Sequence, residues 1–157
     1  MADDTIRNEL GRNEFFRRFP DEYLDFLAEQ ASECEFKQGE MVFRQGDRAD
    51  RFFLLLSGNV NVSVPAILGP TLVIQELGPG KILGWSWLIS PYQWDFQAEA
   101  MSDAKLIQFE GGPVLKHCEE DNEFGYALLK RFTELMSERL HAGRRRMMEQ
   151  WNPAGFA

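Results

Sequence analysis

The chain has 157 residues, 44% hydrophobic and 13% aromatic, with a formal net charge of −8; that length supports one domain with a real core, and the composition excludes a disordered chain. The acidic balance argues against a basic face for DNA or for an anionic membrane. No apolar run approaches the ~18 residues of a spanning helix, and the Met-Ala-Asp-Asp-Thr start lacks the basic-then-apolar order of a secretory signal, so a cytoplasmic protein without membrane contact is expected.

Residues 5–18 interleave Ile6, Leu10, Phe15 and Phe16 with Arg7, Glu9, Arg12, Arg17 and Arg18, the pattern of a short amphipathic helix. Phe19-Pro20-Asp21 restarts the chain, with Pro20 suited to a first helical turn. Tyr23, Leu24, Phe26, Leu27 and Ala31 then carry a helical stripe to about residue 31, so N-terminal helices are expected over 1–34.

From 35 to 110 the texture changes to short apolar runs broken by glycine. Met41-Val42-Phe43 and Arg51 to Leu56 read as strands, separated by the turn at Gln45-Gly46-Asp47. Asn59 to Val64 alternates as a strand with one wet face does, 65–70 is a hairpin loop, and Thr71 to Leu77 returns. Gln97 to Met101 and Ala104 to Phe109 complete a set typical of a small barrel or sandwich.

Within that region, 80–96 holds three of the four tryptophans, with Tyr92 and Phe96. Trp85 and Trp87 are two apart, as are Trp94 and Phe96, so in extended chain each pair shares a face. Aromatics this dense read either as a core layer or as a pocket wall.

Beyond Gly112 the helical period returns. Val114 to Glu120 is a short helix and Glu123 to Gln150 a long one, striped by Met136, Leu140, Gly143, Met147 and Trp151. A helix that long cannot bury all of itself on so small a domain. A dimer seam is therefore expected, drawn from Phe132, Met136, Leu140, Gly143 and Met147. Arg144-Arg145-Arg146 is either a solvated face or a nucleic-acid contact. The helical part runs over 111–151, and 152–157 is a tail.

Cys34 and Cys118 are the only cysteines. They could form a disulfide, ligate iron, or serve as two reduced small hydrophobes. His117 adjoins Cys118, but neighbours on a helix point apart, and His141 sits on a charged helix. No metal site, no cofactor and no nucleophile–base pair is expected, hence no enzyme. A metal-dependent enzyme on a cupin-like barrel would need inward histidines, and 36–109 contains none.

Gly39-Glu40-Met41-Val42-Phe43, then Gly46-Asp47 and Asp50, then Phe53 to Val60, then Leu77-Gly78-Pro79-Gly80 with Gly84 form a combined motif. In this order of elements it resembles the cyclic-nucleotide-binding domain family, in particular effector domains of catabolite-activator-type bacterial regulators, over about residues 10–150. The resemblance implies a mainly β fold: an eight-stranded antiparallel β-roll, jelly-roll-like, flanked by helices, with a long C-terminal helix that makes a homodimer.

In ligand-binding members the site follows the glycine matching Gly84. A Gly-Glu-Leu run places a glutamate on the ribose hydroxyl, backbone N–H groups face the cyclic phosphate, and about ten residues later an arginine neutralises it. Carried over, the ligand-binding positions are Gly84, Trp85, Ser86, Trp87, Leu88, Trp94, Asp95 and Phe96. The glutamate's place is taken by Trp85 and the arginine's falls near Trp94-Asp95-Phe96, and no Lys or Arg occurs from Ile82 to Ala104, a degenerate cassette over 80–96. Lys81, Arg48, Arg51 and Arg144 are the cations that could reach in instead, and Arg144 is added to the candidate site.

Three readings of the aromatics stay open: they fill the cavity, they cage a flatter or less charged planar ligand, or they stack on a nucleotide base. The expected function is a non-enzymatic sensor or regulatory module in signal transduction, with aromatics in place of the phosphate grip. It would act through a small-molecule effector or a partner protein. The alternative is a genuine cyclic AMP or cyclic GMP receptor with a rearranged phosphate site. Transcription-regulator relatives continue past the long helix into a winged helix-turn-helix; a stand-alone version without direct DNA binding is expected here.

Overall fold

Strand β3 (Arg51–Ser57) explains how the chain divides its apolar side chains. Four consecutive residues, Phe52 to Leu55, are buried, so this strand is covered on both faces. Phe52 and Leu54 point into a core shared with the helices, whereas Phe53 and Leu55 point into the interior of a β-roll. The computed structural model describes residues 2–65 and 71–150; the expected hairpin loop at 66–70, Trp151 and the tail lie outside the described residues.

Around β3 the order is α1 (Ala2–Arg12), α2 (Asp21–Glu29), β1 (Ala31–Phe36), β2 (Met41–Phe43), β3, β4 (Val60–Val64), β5 (Leu72–Leu77), β6 (Ile82–Leu83) and a 3₁₀ turn (Ser86–Leu88). It continues through β7 (Gln97–Ala100), β8 (Ala104–Glu110), α3 (Gly111–Glu120) and α4 (Asn122–Gln150). The strands form two four-stranded sheets, ordered β1-β8-β3-β6 and β2-β7-β4-β5, and every pairing is antiparallel. This is the eight-stranded, helix-flanked fold that the sequence implied. The turn between β3 and β4 requires Gly58: its φ is +90°, and a Cβ there would lie 2.5 Å from the Asp103 carbonyl oxygen.

Two boundaries differ from expectation. Helix α1 ends at Arg12, not near 18. Asn13 ends it by side-chain bonds: its Oδ1 accepts from the Phe15 N–H at 2.8 Å and its Nδ2 donates to the Gly80 carbonyl at 2.9 Å. The following turns bury Phe15, Phe16 and Phe19 without helix. The helical stripe read through residue 31 stops at Glu29, because Ala31 to Phe36 pairs with Phe109 to Ala104 of β8. Such a distant ladder partner overrides local propensity.

Helix α4 buries Phe124, Leu128, Phe132, Leu135, Arg139 and Ala142, an inward face spaced at three and four residues. Phe132 is therefore not a seam residue. Its ring meets Phe15 at 5.1 Å, Phe52 at 5.2 Å and Trp87 at 5.4 Å, all edge-on. Met136 is half-buried against the same core, and Leu140 and Met147 are exposed. Gly143 lies over Ile74 of β5. Cys34 on β1 and Cys118 on α3 are free thiols. Among the described residues no helix is long and apolar enough to cross a membrane, and no group of three His, Cys, Asp or Glu is placed to hold a metal ion.

Candidate functional site

The candidate pocket is built where β6 stops after two residues. Gly84 adopts φ +94°, and the chain turns at once into the 3₁₀ turn. This turn breaks the shared face expected for Trp85 and Trp87. Trp87 swings into the helix-side core, stacked on Phe52 at 4.9 Å with its Nε1 donating to the Gly84 carbonyl at 3.2 Å. Leu88 is buried in the same core. Trp85 is half-buried at the margin of that core and lines the small pocket, with the ring of Phe96 edge-on at 5.6 Å.

Trp94 is fixed from both directions. The Gly46 N–H donates to the Trp94 carbonyl, and the Trp94 N–H donates to the Asp47 carbonyl, each at 2.9 Å. The Gly46-Asp47 turn thus clamps the backbone that carries the indole. The indole lies flat on Phe43, centroids 3.9 Å apart and planes 12° apart, an offset stack that adds to the area it buries. Its far edge rests where a side chain on Gly84 would be: a Cβ there would be 2.8 Å from Cη2 and Cζ3.

Phe43, Val62, Gly84, Trp85, Ser86, Trp94, Phe96 and Arg139 line what remains, which leaves about 10 Å³ for the centre of a water molecule, the space of one water. Of the sequence candidates, Gly84, Trp85, Ser86, Trp94 and Phe96 come together here. Trp87 and Leu88 do not line this pocket, Asp95 is exposed, and Arg144 is exposed away from it. The other cations proposed to reach in do not. Lys81 and Arg48 are exposed, and Arg51 donates from Nε to Asp50 at 2.9 Å and from Nη1 to Gln108 at 3.0 Å. A larger open groove of about 600 Å³, with Arg48, Trp87, Tyr92 and Leu115 in its lining, holds no buried charge and is the weaker candidate.

The cation in the pocket wall is Arg139, which the sequence reading missed. It is 5% exposed, donates from Nη2 to the Ile82 carbonyl, and places Cζ 5.7 Å from the Trp85 ring centroid, within cation–π range. Its Nε–H is buried without an acceptor among the described residues. Burial pulls its pKa down to about 10, opposed by Glu138, so it stays charged at neutral pH. A signal existed in the sequence: Arg139 stands one turn beyond Leu135 and two beyond Phe132, on the apolar stripe and not the charged one. A buried serine and an arginine without a histidine or carboxylate in the lining offer recognition, not bond chemistry.

Comparison with known proteins gives one family. The cyclic nucleotide-binding domain model matches residues 33–121. The chain is 32% identical over 93 residues to the cAMP-dependent protein kinase regulatory subunit of Dictyostelium discoideum, covering 54% of this chain and 28% of that one. It is 37% identical over 76 residues to the acetyltransferase Pat of Mycolicibacterium smegmatis, covering 48% of this chain and 22% of that one. The chain thus spans about a quarter of the length of these curated relatives. Its fold is similar to the crystallised cyclic nucleotide-binding domain from Methylobacillus flagellatus KT, with a TM-score of 0.79 at 18% identity over 99% of this chain and 89% of that one.

Proposed function

This chain belongs to the cyclic nucleotide-binding domain family, and from that premise we propose that it is a non-enzymatic regulatory module whose pocket is closed by its own aromatic side chains. The observation that carries this reading is the indole of Trp94, stacked on Phe43 and lodged against Gly84. A pocket for a drug-sized or nucleotide-sized ligand needs about 300 Å³ or more, and the free room here is about one water.

The pocket wall includes α4 through Arg139, so a change in the pocket is felt directly by that helix. The outward side of α4 carries Tyr126, Leu129, Thr133, Leu140 and Met147, with half-buried Met136 and Gly143 at its margin, and together these positions alternate three and four apart. That is the heptad of a coiled-coil seam, and Tyr126 is 69%, Leu140 65% and Met147 54% exposed. The proposal is a cytoplasmic homodimer through this seam, signalling to a partner protein by the way the 80–96 segment packs on α4, with no direct contact to DNA or membrane.

Thermal unfolding with and without millimolar cyclic AMP or cyclic GMP tests it. No shift is expected. A ligand at 100 times its Kd would stabilise the fold by about 2.7 kcal/mol, a rise of several degrees. Such a rise would favour a second reading, a cyclic-nucleotide receptor with a rearranged phosphate site. Arg139 is the specific observation in its favour, because a buried guanidinium is a strong phosphate partner.

A further inference from the structure

Arg139 has more donors than the fold uses. A guanidinium carries five N–H groups in a fixed fork. Here Nη2 meets the Ile82 carbonyl, one indole face lies nearby, and the Nε–H is enclosed with no acceptor. Among the described residues no carboxylate lies within salt-bridge distance of Arg139, although the chain has 25 Asp and Glu against 17 Lys and Arg. Glu138 acts on it only at a distance, from the exposed side of α4. The pocket it borders contains no acidic residue in its lining, and Arg139 is the single charged group there. A buried cation left without a counter-charge is unfavourable unless something supplies one.

The space beside it is limited to about one water, bounded by Trp85, Trp94, Phe96 and the buried Ser86. We propose that this chamber binds one compact anion, of halide size, held by the free edge of Arg139 and bordered by the rings of Trp85, Trp94 and Phe96. The proposal rests on the aromatic closure described above, which is what restricts the guest to that size. In so small a space, lined mostly by apolar side chains, a charge-assisted N–H···anion bond is stronger than in bulk water. Binding there stiffens the contact between α4 and β6, because Arg139 joins the two elements through the Ile82 carbonyl.

The test titrates the whole chain with sodium chloride and, separately, with sodium formate. Total ionic strength is held constant with sodium methanesulfonate, so that general screening does not vary. Tm and tryptophan fluorescence are read together. A saturable rise in Tm of a few degrees is expected with chloride, and formate, with three heavy atoms, should respond only at higher concentration; a stronger response to formate overturns the one-water size limit. Arg139→Met removes the charge at similar volume, and with it the response should vanish while the variant stays folded. Arg139→Lys keeps the charge but loses the fork, and at least a tenfold weaker response is expected. A wild type that shows no saturation overturns the proposal, as does a response that survives in Arg139→Met or is undiminished in Arg139→Lys. Cyclic AMP in the same assay separates the two readings. A nucleotide shift overturns the aromatic closure, whereas an anion response that depends on Arg139 is judged by the two substitutions alone.

Discussion

Gly84 and Trp94 share one volume: the side chain that Gly84 lacks would stand 2.8 Å from the Cη2 and Cζ3 atoms of the indole. The glycine also has φ +94°, so it meets two demands at once. Gly84→Ala should therefore lose about 1–2 kcal/mol to the left-handed backbone and about 1–3 kcal/mol to overpacking. Urea unfolding measures the sum. In a double-mutant cycle with Trp94→Leu, the overpacking part should return and the backbone part should not.

Trp94 is the buried indole of the pocket, and its backbone is held by the Gly46-Asp47 turn whether or not the indole is present. Trp94→Ala should cost about 3–5 kcal/mol, as core aromatic truncations do. The space it leaves is apolar and flat, bounded by Phe43 and Gly84. Free indole should then raise the Tm of Trp94→Ala and leave the wild type unchanged, since empty apolar cavities take up matching guests. Equal effects on both proteins would mean that the ring is not what closes the pocket.

Much of this was legible in the chain itself. Strands β2 to β5, β7 and β8 follow from local alternation and turn chemistry, which a sequence displays directly, whereas two-residue β6 is too short to show either. Strand β1 was hidden because Ala31 to Phe36 earns its conformation from β8, far along the chain. Trp87 does not line the pocket beside Trp85, because side-chain alternation holds only in extended backbone and the chain leaves that state at Gly84. Arg139 was overlooked because a charged residue on a helix is ordinarily solvated. Its place among Phe132, Leu135 and Ala142 outweighed its charge.

Cys34 and Cys118 should give the fold an alkaline weakness. Burial raises both thiols from 9.0 to about 11, opposed at Cys34 by Arg51 and reinforced at Cys118 by Glu119 and Asp121. Between those values the unfolded chain releases protons that the folded chain retains. Stability is thus full below about pH 9 and falls as pH rises toward about 11. Urea midpoints across that window should fall less steeply in the Cys34→Ala, Cys118→Ala variant than in wild type. Identical slopes would place the alkaline loss elsewhere.

The two sides of α4 should answer differently to substitution. Leu140 and Met147 are exposed on the heptad seam, whereas Phe132 lies in the core against Phe52 and Trp87. Leu140→Glu with Met147→Glu should convert a dimer to a monomer in sedimentation velocity, because like charges then face each other across an isologous seam. The far-ultraviolet spectrum should not change, since neither side chain supports the monomer core. Phe132→Ala should instead lose about 3–5 kcal/mol of stability, with dissociation only as a consequence of unfolding. A dimer that survives both glutamates would show that copies meet through another surface. A monomeric wild type at micromolar concentration would remove the seam and leave α4 free to receive a different partner.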